Sequence, residues 1–492
     1  MSLISISNLT FAYEGSYDNI FEQVSLQIDT DWRLGFTGRN GRGKTTFLHL
    51  LMGKYEYSGS ITSRVSFSYF PFPVANKTAR TIEVLDNVAD DFALWELERE
   101  LSLLQVDTGV LQRPFETLSK GEQTKVLLAA LFLQDRGYLL IDEPTNHLDL
   151  EARQTVSKYL KTKKGFILVS HDRAFLDGCI DHILSINKTN IEIQKGNFSS
   201  WWLNKGRQDN YELNKDEKLK KEVSRLKNAV RRTSDWSNKL ERTRYDTKGL
   251  SEGSDRGYIG HMSAKMMKRS KSIERRRQTA IEEKSQLLKN VETAEDLKIH
   301  PLNYHRNRLV SFEKVAVSYG ASQVFTDLTF TITQGERVAL CGKNGSGKTS
   351  IIKLIGGEDI CYQGDVQTGS NLILSYVSQD TSHLQGILTD YAQKNGIDDS
   401  LFKAILRKLD FSRIQFEKNI ADFSEGQKKK VLIAKSLCEK AHLYLWDEPL
   451  NFIDILSRMQ IEVLLLRYKP TMLFVEHEKT FIEAVATKRI QL

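Results

Sequence analysis

The sequence GRNGRGKT begins at Gly38, and the sequence GKNGSGKT begins at Gly342. Each octet follows a short apolar run and precedes a helix-like stretch, TTFLHLLMG in the first case and TSIIKLIGG in the second. This strand–loop–helix context is what a phosphate-binding loop (P-loop) requires, because its glycines let backbone N–H groups surround phosphates at the positive end of a helix. Two such octets therefore predict two nucleotide-binding domains.

The two P-loops belong to a longer internal repeat. Further landmarks recur in the same order 305 or 306 residues later: Ser119 at Ser424, Asp142 at Asp447, His171 at His477, and Tyr13 at Tyr319. Alternating apolar strands and helix-like segments indicate α/β domains with largely parallel sheets. We therefore predict nucleotide-binding domains at residues 1–200 and 308–492, joined by a linker at residues 201–307.

The repeated residue types predict ATP hydrolysis. In each P-loop, the lysine is expected to reach the β- and γ-phosphates and the following threonine to ligate Mg²⁺. Each Asp-Glu pair follows an apolar strand, so the aspartate is expected to hold Mg²⁺ and the glutamate to position the attacking water. These residues are Lys44, Thr45, Asp142 and Glu143 in the first domain and Lys348, Thr349, Asp447 and Glu448 in the second. ATP and Mg²⁺ are the expected cofactors.

Composition argues against a membrane-spanning or secreted protein. The sequence has no run of about 18 apolar residues, and its start lacks the pattern of a signal peptide. The cysteines lack metal-ligand spacing, and they are Cys179, Cys341, Cys361 and Cys438. We therefore expect a cytoplasmic protein without a structural metal site.

The linker carries the excess positive charge. Residues 205–289 contain 24 Lys+Arg against 13 Asp+Glu, whereas the whole chain has a net charge of +7. Apolar residues at heptad-like spacing predict two helices packed as an antiparallel hairpin. They are Leu219, Val223, Leu226 and Val230 on the first arm, and Ile273, Ala280, Leu287 and Val291 on the second, with Lys284 interrupting. The glycine-rich segment 246–261 is expected to form the turn.

LSKGE at 118–122 and FSEGQ at 423–427 resemble the signature sequence of the ABC ATPases. The resemblance implies a head-to-tail sandwich with two composite sites, each formed by one domain's P-loop and the other domain's signature. It also implies switch histidines (His171, His477), adenine-stacking tyrosines (Tyr13, Tyr319) and loop aspartates (Asp149, Asp454). The predicted ATP-binding residues are Tyr13, Gly38, Asn40, Gly41, Gly43, Lys44, Thr45, Thr46, Ser119, Gly121, Glu122, Tyr319, Gly342, Asn344, Gly345, Gly347, Lys348, Thr349, Ser350, Ser424, Gly426 and Gln427.

The two domains depart from each other at one predicted Mg²⁺ ligand. The second domain has YVSQ, with Gln379 at the place of the family's Mg²⁺-sensing glutamine, whereas the first has YFPF, with Phe72 there. Phenylalanine cannot ligate Mg²⁺, so the two sites are expected to differ. EPLNFID in the second domain also departs from EPTNHLD in the first.

EPTNHLD, two fused domains and the lack of a membrane segment resemble the ABC-F class of translation factors. Lys44 and Ser119 are 75 residues apart, and Lys348 and Ser424 are 76 apart, so neither domain carries a large inserted arm. Together with the linker, these features resemble the antibiotic-resistance ABC-F proteins of the Lsa/Vga-type group. That resemblance implies binding at the ribosomal E site and protection of the peptidyl-transferase centre against lincosamides, pleuromutilins and streptogramin A.

The implied partner is the 70S ribosome, through 23S rRNA and P-site tRNA, with no permease, no DNA and a monomeric chain. Each linker arm has about 40 residues and could extend roughly 60 Å at about 1.5 Å per residue. The residues expected to contact rRNA or approach the drug are Lys248, Arg256, Tyr258, Arg275, Arg276 and Arg277.

Three alternatives stay open at this point. A basic linker can simply solvate a long helix. A housekeeping ABC-F factor that acts on stalled ribosomes has a similar sequence, and the ATPase component of a drug exporter has the same ATP chemistry.

Overall fold

The structure, a computed structural model, describes residues 2–14, 19–86, 88, 92–134, 137–187, 190–245, 256–286, 296–320 and 322–492. The chain divides into two compact units. One comprises residues 1–186, 191–199 and 294–492, and the other comprises residues 187–190 and 200–293. The first unit contains both P-loops, and the second contains most of the basic linker.

The first P-loop domain is built on two sheets. Its described strands are β1 (Leu3–Phe11), β2 (Phe21–Asp29), β3 (Arg33–Thr37), β4 (Ser58–Thr62), β5 (Phe67–Phe70), β6 (Tyr138–Asp142), β7 (Phe166–Val169), β8 (His182–Ile186) and β9 (Ile191–Lys195). One sheet has the order β5-β6-β7-β3-β8-β9, parallel except for β9, and the other is antiparallel with the order β2-β1-β4.

Helices cover these sheets. They are α1 (Lys44–Leu51), α2 (Thr81–Asp86), α3 (Leu94–Leu103), α4 (Lys120–Leu131), α5 (Leu150–Thr162) and α6 (Arg173–Cys179), with 3₁₀ turns at Thr108–Gln112 and Phe115–Thr117. A buried apolar cluster joins both sheets to α1. Strands such as β6 (YLLID) are almost wholly apolar because a parallel sheet is buried on both faces.

The linker unit contains two long helices, α7 (Phe198–Tyr245) and α8 (Arg256–Gln286). Leu219 and Ala280 are buried, and Val223, Leu226, Val230 and Ile273 are half-buried, as a packed helical seam requires. The other predicted seam positions, Lys284, Leu287 and Val291, fall outside the residues whose side chains are described.

The predicted turn at 246–261 was partly wrong. Helix α8 begins at Arg256, five residues before the predicted end of the turn, and residues 246–255 lie outside the described part. Gly257 and Gly260 each cost a helix only about 1 kcal/mol relative to alanine. A 31-residue helix can absorb that cost, so glycine content alone overstated the length of the turn.

The second P-loop domain repeats the plan. Its described strands are β10 (His300–Pro301), β11 (Arg308–Tyr319), β12 (Ser322–Thr333), β13 (Arg337–Cys341), β14 (Tyr362–Thr368), β15 (Leu374–Val377), β16 (Lys440–Ala441), β17 (Leu443–Asp447), β18 (Met472–Val475) and β19 (Lys488–Gln491). The main sheet is parallel with the order β15-β17-β18-β13-β19, beside an antiparallel β12-β11-β14 sheet and the short β10–β16 pair.

Its helices are α9 (Lys348–Ile355), α10 (Leu388–Lys394), α11 (Asp399–Lys408), α12 (Glu425–Cys438), α13 (Ile455–Tyr468) and α14 (Lys479–Val485), with 3₁₀ turns at Arg413–Glu417 and Ile420–Asp422. The α/β fold class and the two long linker helices agree with the sequence-based prediction. Among the described residues, no helix combines the length and the hydropathy needed to cross a membrane.

Glycine geometry fixes where each P-loop meets its helix. Gly43 and Gly347 cap α1 and α9 with φ values of 85° and 89°, in the left-handed region that favours glycine. A Cβ on Gly43 would also crowd Ile20, and a Cβ on Gly347 would crowd Val324. The two P-loops are therefore shaped alike.

Candidate functional site

Each P-loop lysine is buried against its own loop. Nζ of Lys44 donates to the carbonyl oxygen of Gly38 at 2.8 Å. Nζ of Lys348 donates to that of Gly342 at 2.9 Å. Burial lowers the pKa of both ammonium groups, although nearby carboxylates oppose the shift. A positive charge held inside a loop of backbone amides is suited to bind a polyphosphate.

Beside each lysine, a hydroxyl and a carboxylate meet. Oγ1 of Thr45 donates to Oδ2 of Asp142 at 2.8 Å, and burial raises the pKa of that carboxylate. Burial raises the pKa of Asp447 to about 6, while the neighbouring Thr349 works against the rise. Oxygen donors of this kind fit Mg²⁺, which prefers carboxylate and hydroxyl oxygens together with substrate phosphates.

A glutamate and a histidine adjoin each aspartate. Nε2 of His171 lies 3.3 Å from Oε1 of Glu143, and Nε2 of His477 lies 3.3 Å from Oε1 of Glu448. Both glutamates have left-handed backbones, with φ values of 51° and 47°. Such a conformation costs non-glycine residues roughly 1 kcal/mol or more and clusters at functional sites.

The two glutamates differ in their electrostatic surroundings. Burial and the adjacent Asp142 raise the pKa of Glu143 to about 8. Burial also works to raise the pKa of Glu448, but hydrogen bonds from His477 and Gln379 outweigh it, so that pKa is lowered. Burial and the charge of Lys44 hold the pKa of His171 well below its usual value. The pKa values of the two candidate bases are therefore shifted in opposite directions.

Side chains around Glu448 explain much of this difference. Nε2 of Gln379 donates to Oε2 of Glu448 at 3.0 Å, and Nδ2 of Asn451 donates to the same oxygen at 2.6 Å. Strand register pairs Phe70 with Ile141 as it pairs Val377 with Trp446. Counting two residues onward from Phe70 and Val377 makes Phe72 the structural counterpart of Gln379, as the sequence predicted.

The first P-loop faces the second domain's signature, in what we call composite site 1. Nδ2 of Asn40 donates to the carbonyl oxygen of Phe452 at 2.8 Å. A Cβ on Gly426 would overlap that carbonyl and lie 3.1 Å from Nδ2 of Asn40. Arg39 forms an ion pair of 3.5 Å with Asp410. The domains touch closely at this site.

The second P-loop faces the first domain's signature, in what we call composite site 2. Nδ2 of Asn344 donates to the carbonyl oxygen of His147 at 3.3 Å, and Lys343 lies 3.6 Å from Glu151. A cavity of about 870 Å³ opens here. Its lining joins predicted residues of both domains: Ser119, Gly121, Glu122, Asp149, Asn344, Gln379, Glu448 and His477.

Both signature serines cap their helices. Oγ of Ser119 accepts from the backbone N–H of Glu122 at 3.2 Å, and Oγ of Ser424 accepts from that of Gln427 at 3.3 Å. In each case, the side chain of the residue three positions later accepts a hydrogen bond from the serine N–H, which completes a capping box. A helix N-terminus held this way favours an anion near its first turn.

The predicted adenine-stacking tyrosines occupy matching places. The hydroxyl of Tyr13 is 2.7 Å from Oγ1 of Thr46, and the hydroxyl of Tyr319 is 3.0 Å from Oγ of Ser350. Both rings are exposed, at 43% and 52%. Each phenol is therefore anchored to the helix after a P-loop while its ring stays open to a ligand.

The linker unit has a basic cleft between α7 and α8 of about 780 Å³. We call it the linker cleft, and it is lined by Lys220, Lys221, Ser224, Arg225, Asn228, Ala229, Arg232, Arg269 and Ile273. Of the predicted rRNA residues, Arg275 and Arg276 are exposed, whereas Arg277 is half-buried and pairs with Glu274 at 3.2 Å. Lys248 lies outside the described residues, as do the side chains of Arg256 and Tyr258.

Sequence reasoning missed several residues of the two sites. Asn451 contacts Glu448, and the hydroxyl of Tyr69 donates to Oδ2 of Asp142 at 3.0 Å. Lys430 forms a buried ion pair of 2.8 Å with Asp454, whose pKa it holds far below its usual value despite burial. Aligning the two repeats would have flagged Asn451, because EPTNHLD and EPLNFID share that asparagine.

Comparison with known proteins identifies the family of the two P-loop domains. The family model described as "ABC transporter" matches residues 21–146 and 325–451. The ribosome protection protein VmlR of Bacillus subtilis is 27% identical over 499 residues, covering 99% of this chain and 86% of VmlR. The energy-dependent translational throttle protein EttA of Haemophilus influenzae is 25% identical over 522 residues, covering 95% of this chain and 88% of EttA.

Among solved structures, the archaeal ribosome recycling factor aABCE1, in complex with the ribosomal stalk protein aP1, has the same fold with a TM-score of 0.63. Its sequence is 19% identical, and the match covers 98% of this chain and 87% of that one. The matched model spans both P-loops, both signatures and both Asp-Glu pairs. The chain therefore belongs to the ABC transporter family and, with two ABC domains in one polypeptide, it is an ATPase.

Proposed function

We propose that the chain is an ABC-F ATPase of the Lsa/Vga-like antibiotic-resistance group. It acts in the cytoplasm, as a monomer, at the E site of the 70S ribosome, where it contacts 23S rRNA and P-site tRNA. It protects the peptidyl-transferase centre against lincosamides, pleuromutilins and streptogramin A. ATP binding closes the composite sites and favours the ribosome-bound form, and hydrolysis releases it.

The linker cleft is the observation that carries this proposal. Five cationic side chains line it, and none of its described lining residues is acidic. They are Lys220, Lys221, Arg225, Arg232 and Arg269. Basic side chains gathered along two helices suit a phosphate backbone, because each contact releases a condensed counterion. The ATPase of an exporter has no use for such an element, so the cleft favours an RNA partner.

Two relatives support the choice of RNA. VmlR is named a ribosome protection protein, and EttA is named a translational throttle protein. Each aligns with at least 95% of this chain, so the likeness includes the linker as well as the ATPase domains. These names favour the ribosome as the polyanion and leave protection and housekeeping control as the two roles to separate.

The composite sites supply the chemistry. Bound ATP would supply the phosphoanhydride bond to be hydrolysed, and Mg²⁺ held by the Thr–Asp pairs would neutralise part of the phosphate charge. We assign phosphate contact to Lys44 and Lys348, and the opposite signature helices close over the γ-phosphate. Glu448 receives the proton of the attacking water, while His477 and Gln379 orient its carboxylate through the observed contacts.

Ribosome pelleting tests the ATP cycle. The double variant Glu143→Gln, Glu448→Gln keeps both P-loops but lacks both carboxylates, so it is expected to stay on ribosomes in ATP while wild type dissociates. Equal release of the double variant and wild type would overturn the ATP-on, hydrolysis-off cycle.

Salt dependence tests the RNA contact. Replacing Arg275 and Arg276 with glutamine is expected to flatten the log–log salt slope of ribosome binding by about two, because each arginine bound to a phosphate contributes roughly one to that slope. The control variant Arg64→Gln, Lys77→Gln removes two exposed cations from the first nucleotide-binding domain. An unchanged slope in the linker variant would show that these arginines lie on a solvated helix face and do not contact phosphate.

Drug susceptibility separates the remaining roles. We expect a variant with residues 248–258 replaced by a few glycines to keep ATPase activity and most ribosome affinity but to lose resistance to a lincosamide and a pleuromutilin. Full resistance in this variant would favour a housekeeping factor. Recovery of wild type with membrane vesicles rather than ribosomes would favour the exporter ATPase.

A further inference from the structure

One arginine of the first domain reaches into the second. Nε of Arg173, the first residue of α6, donates to Oε1 of Glu478 at 2.7 Å, and one of its terminal nitrogens donates to Oε2 of Glu462 at 2.6 Å. The Arg173 and Glu478 side chains are 9% and 0% exposed, and that of Glu462 is 17% exposed. The planar guanidinium thus spans two carboxylates of the other domain, a geometry that lysine cannot reproduce.

The contact continues to the loop that faces the first P-loop. Oε2 of Glu478 accepts from Arg458 at 3.1 Å, and Nε of Arg458 donates to the carbonyl oxygen of Ile453 at 2.8 Å. Ile453 follows Phe452, whose carbonyl accepts from Asn40 in composite site 1. At the other end, Glu478 directly follows His477, the histidine of composite site 2.

This bridge is one-sided. By the repeat offset, the counterparts of Arg173 and Glu462 are Lys479 and Ser157. Lys479 is exposed and lies 3.9 Å from Glu483 of its own domain. Oγ of Ser157 donates to the carbonyl of Phe175, also in its own domain. The mirror-image contact is therefore absent from the described residues around Lys479 and Ser157.

We propose that Arg173 is an interdomain positioning residue that couples the two composite sites. The guanidinium of Arg173 holds Glu478 and thereby fixes the backbone beside His477. Through Arg458, it also fixes the loop beside the first P-loop. Closure of either site moves this buried group of charges, and the other site responds. The proposal rests on ATP turnover at two sites and is independent of ribosome binding.

Steady-state ATP hydrolysis by the full-length protein, without ribosomes, tests it. Wild type is expected to show a Hill coefficient well above 1 for ATP, approaching about 2 for two coupled sites. Arg173→Gln is expected to bring the coefficient to about 1. Glu462→Gln removes the ion pair between Arg173 and Glu462 and leaves the buried Glu478–Arg458 pair. It is therefore expected to lower the coefficient without a loss of folding.

Lys479→Ala is the matched control at the counterpart position, and it is expected to keep the wild-type coefficient. A purely structural role for Arg173 predicts a lower Tm and a lower kcat with an unchanged coefficient in both Arg173→Gln and Glu462→Gln, and that result would overturn the proposal. A wild-type coefficient of 1 would overturn it as well. Loss of ribosome binding in any variant bears only on the proposed ribosomal function.

Discussion

Composite sites 1 and 2 share a backbone plan but differ in the contacts made across the domain interface. In site 1, Asn40 lies 2.8 Å from the opposing Phe452 carbonyl, whereas in site 2 Asn344 lies 3.3 Å from the opposing His147 carbonyl beside a cavity of about 870 Å³. Duplicated domains can thus keep P-loops of the same backbone shape while their interfaces diverge.

The candidate catalytic carboxylates, Glu143 and Glu448, also differ in their surroundings. Glu448 of site 2 is held by Gln379, Asn451 and His477. Site 1 has Phe72 where site 2 has Gln379, and the pKa of its Glu143 is raised to about 8. Site 1 is therefore the poorer candidate for hydrolysis, and site 2 is the better one. We expect both sites to turn over ATP, with site 2 faster than site 1.

The largest expected effect concerns the glutamates taken singly. Glu448→Gln is expected to lower steady-state ATPase by about 100-fold or more, because a positioned base contributes about that factor. Glu143→Gln is expected to cost only a few-fold, since site 1 contributes the smaller share of the turnover. Equal losses in the two variants would break the comparison.

Exchanging the residues at the glutamine position is expected to have the next largest effect. Gln379→Phe makes site 2 resemble site 1 and is expected to lower kcat about 10-fold, the scale of one charge-assisted hydrogen bond of about 1.5–3 kcal/mol. KM for ATP is expected to change less. Gln379→Glu, which cannot donate to Glu448, serves as a second variant. A wild-type kcat in both variants would show that Gln379 does not contribute to turnover.

Removing the interface asparagines tests the difference in packing. Asn40→Ala is expected to raise the ATP concentration for half-maximal closure about 2- to 10-fold, because a hydrogen bond contributes about 0.5–1.5 kcal/mol. Asn344→Ala is expected to have a smaller effect, since its bond is longer. Interdomain fluorescence energy transfer measures both, and a larger effect at Asn344 would reverse the order.

The smallest expected effect is on the pH dependence of stability. Just before its histidine, the second domain has Glu476 (in FVEHE) where the first domain has Ser170 (in LVSHD). Burial raises the pKa of Glu476 to about 7, above its usual value of 4.5. A raised carboxyl pKa contributes stability at low pH that is lost as pH rises through about 7. We therefore expect Tm to fall by a few degrees between pH 5 and pH 8.

The variant Glu476→Gln tests this assignment, because its amide oxygen can still accept from the Leu450 N–H that Glu476 bonds at 2.8 Å. It is expected to lose this part of the pH dependence. A pH profile identical to that of wild type would show that Glu476 is not the responsible group.

Much of the site was predictable because its chemistry depends on local motifs. The predicted Thr45 hydroxyl contacts Asp142, and the predicted histidines lie beside their glutamates. The contacts of Tyr69, in YFPF, and of Arg173, just after LVSHD, were not predictable, since both side chains act through partners distant in sequence. The turn at 246–261 was overestimated because glycines were weighed without the length of the following helix.

The sequence by itself determined the duplication, the α/β class, the P-loop chemistry and the basic linker. These depend on residue identity, short-range backbone geometry and hydrophobic periodicity, which are all written locally. Only the tertiary structure decided which site packs tightly, that Glu448 has three side-chain partners, and that Arg173 bridges the domains on one side alone. The partners of Glu448 are 3 to 69 residues away within its own domain, and the interdomain contacts join residues 197 to 412 positions apart. Such distances are set by how strands, loops and domains pack rather than by any local pattern.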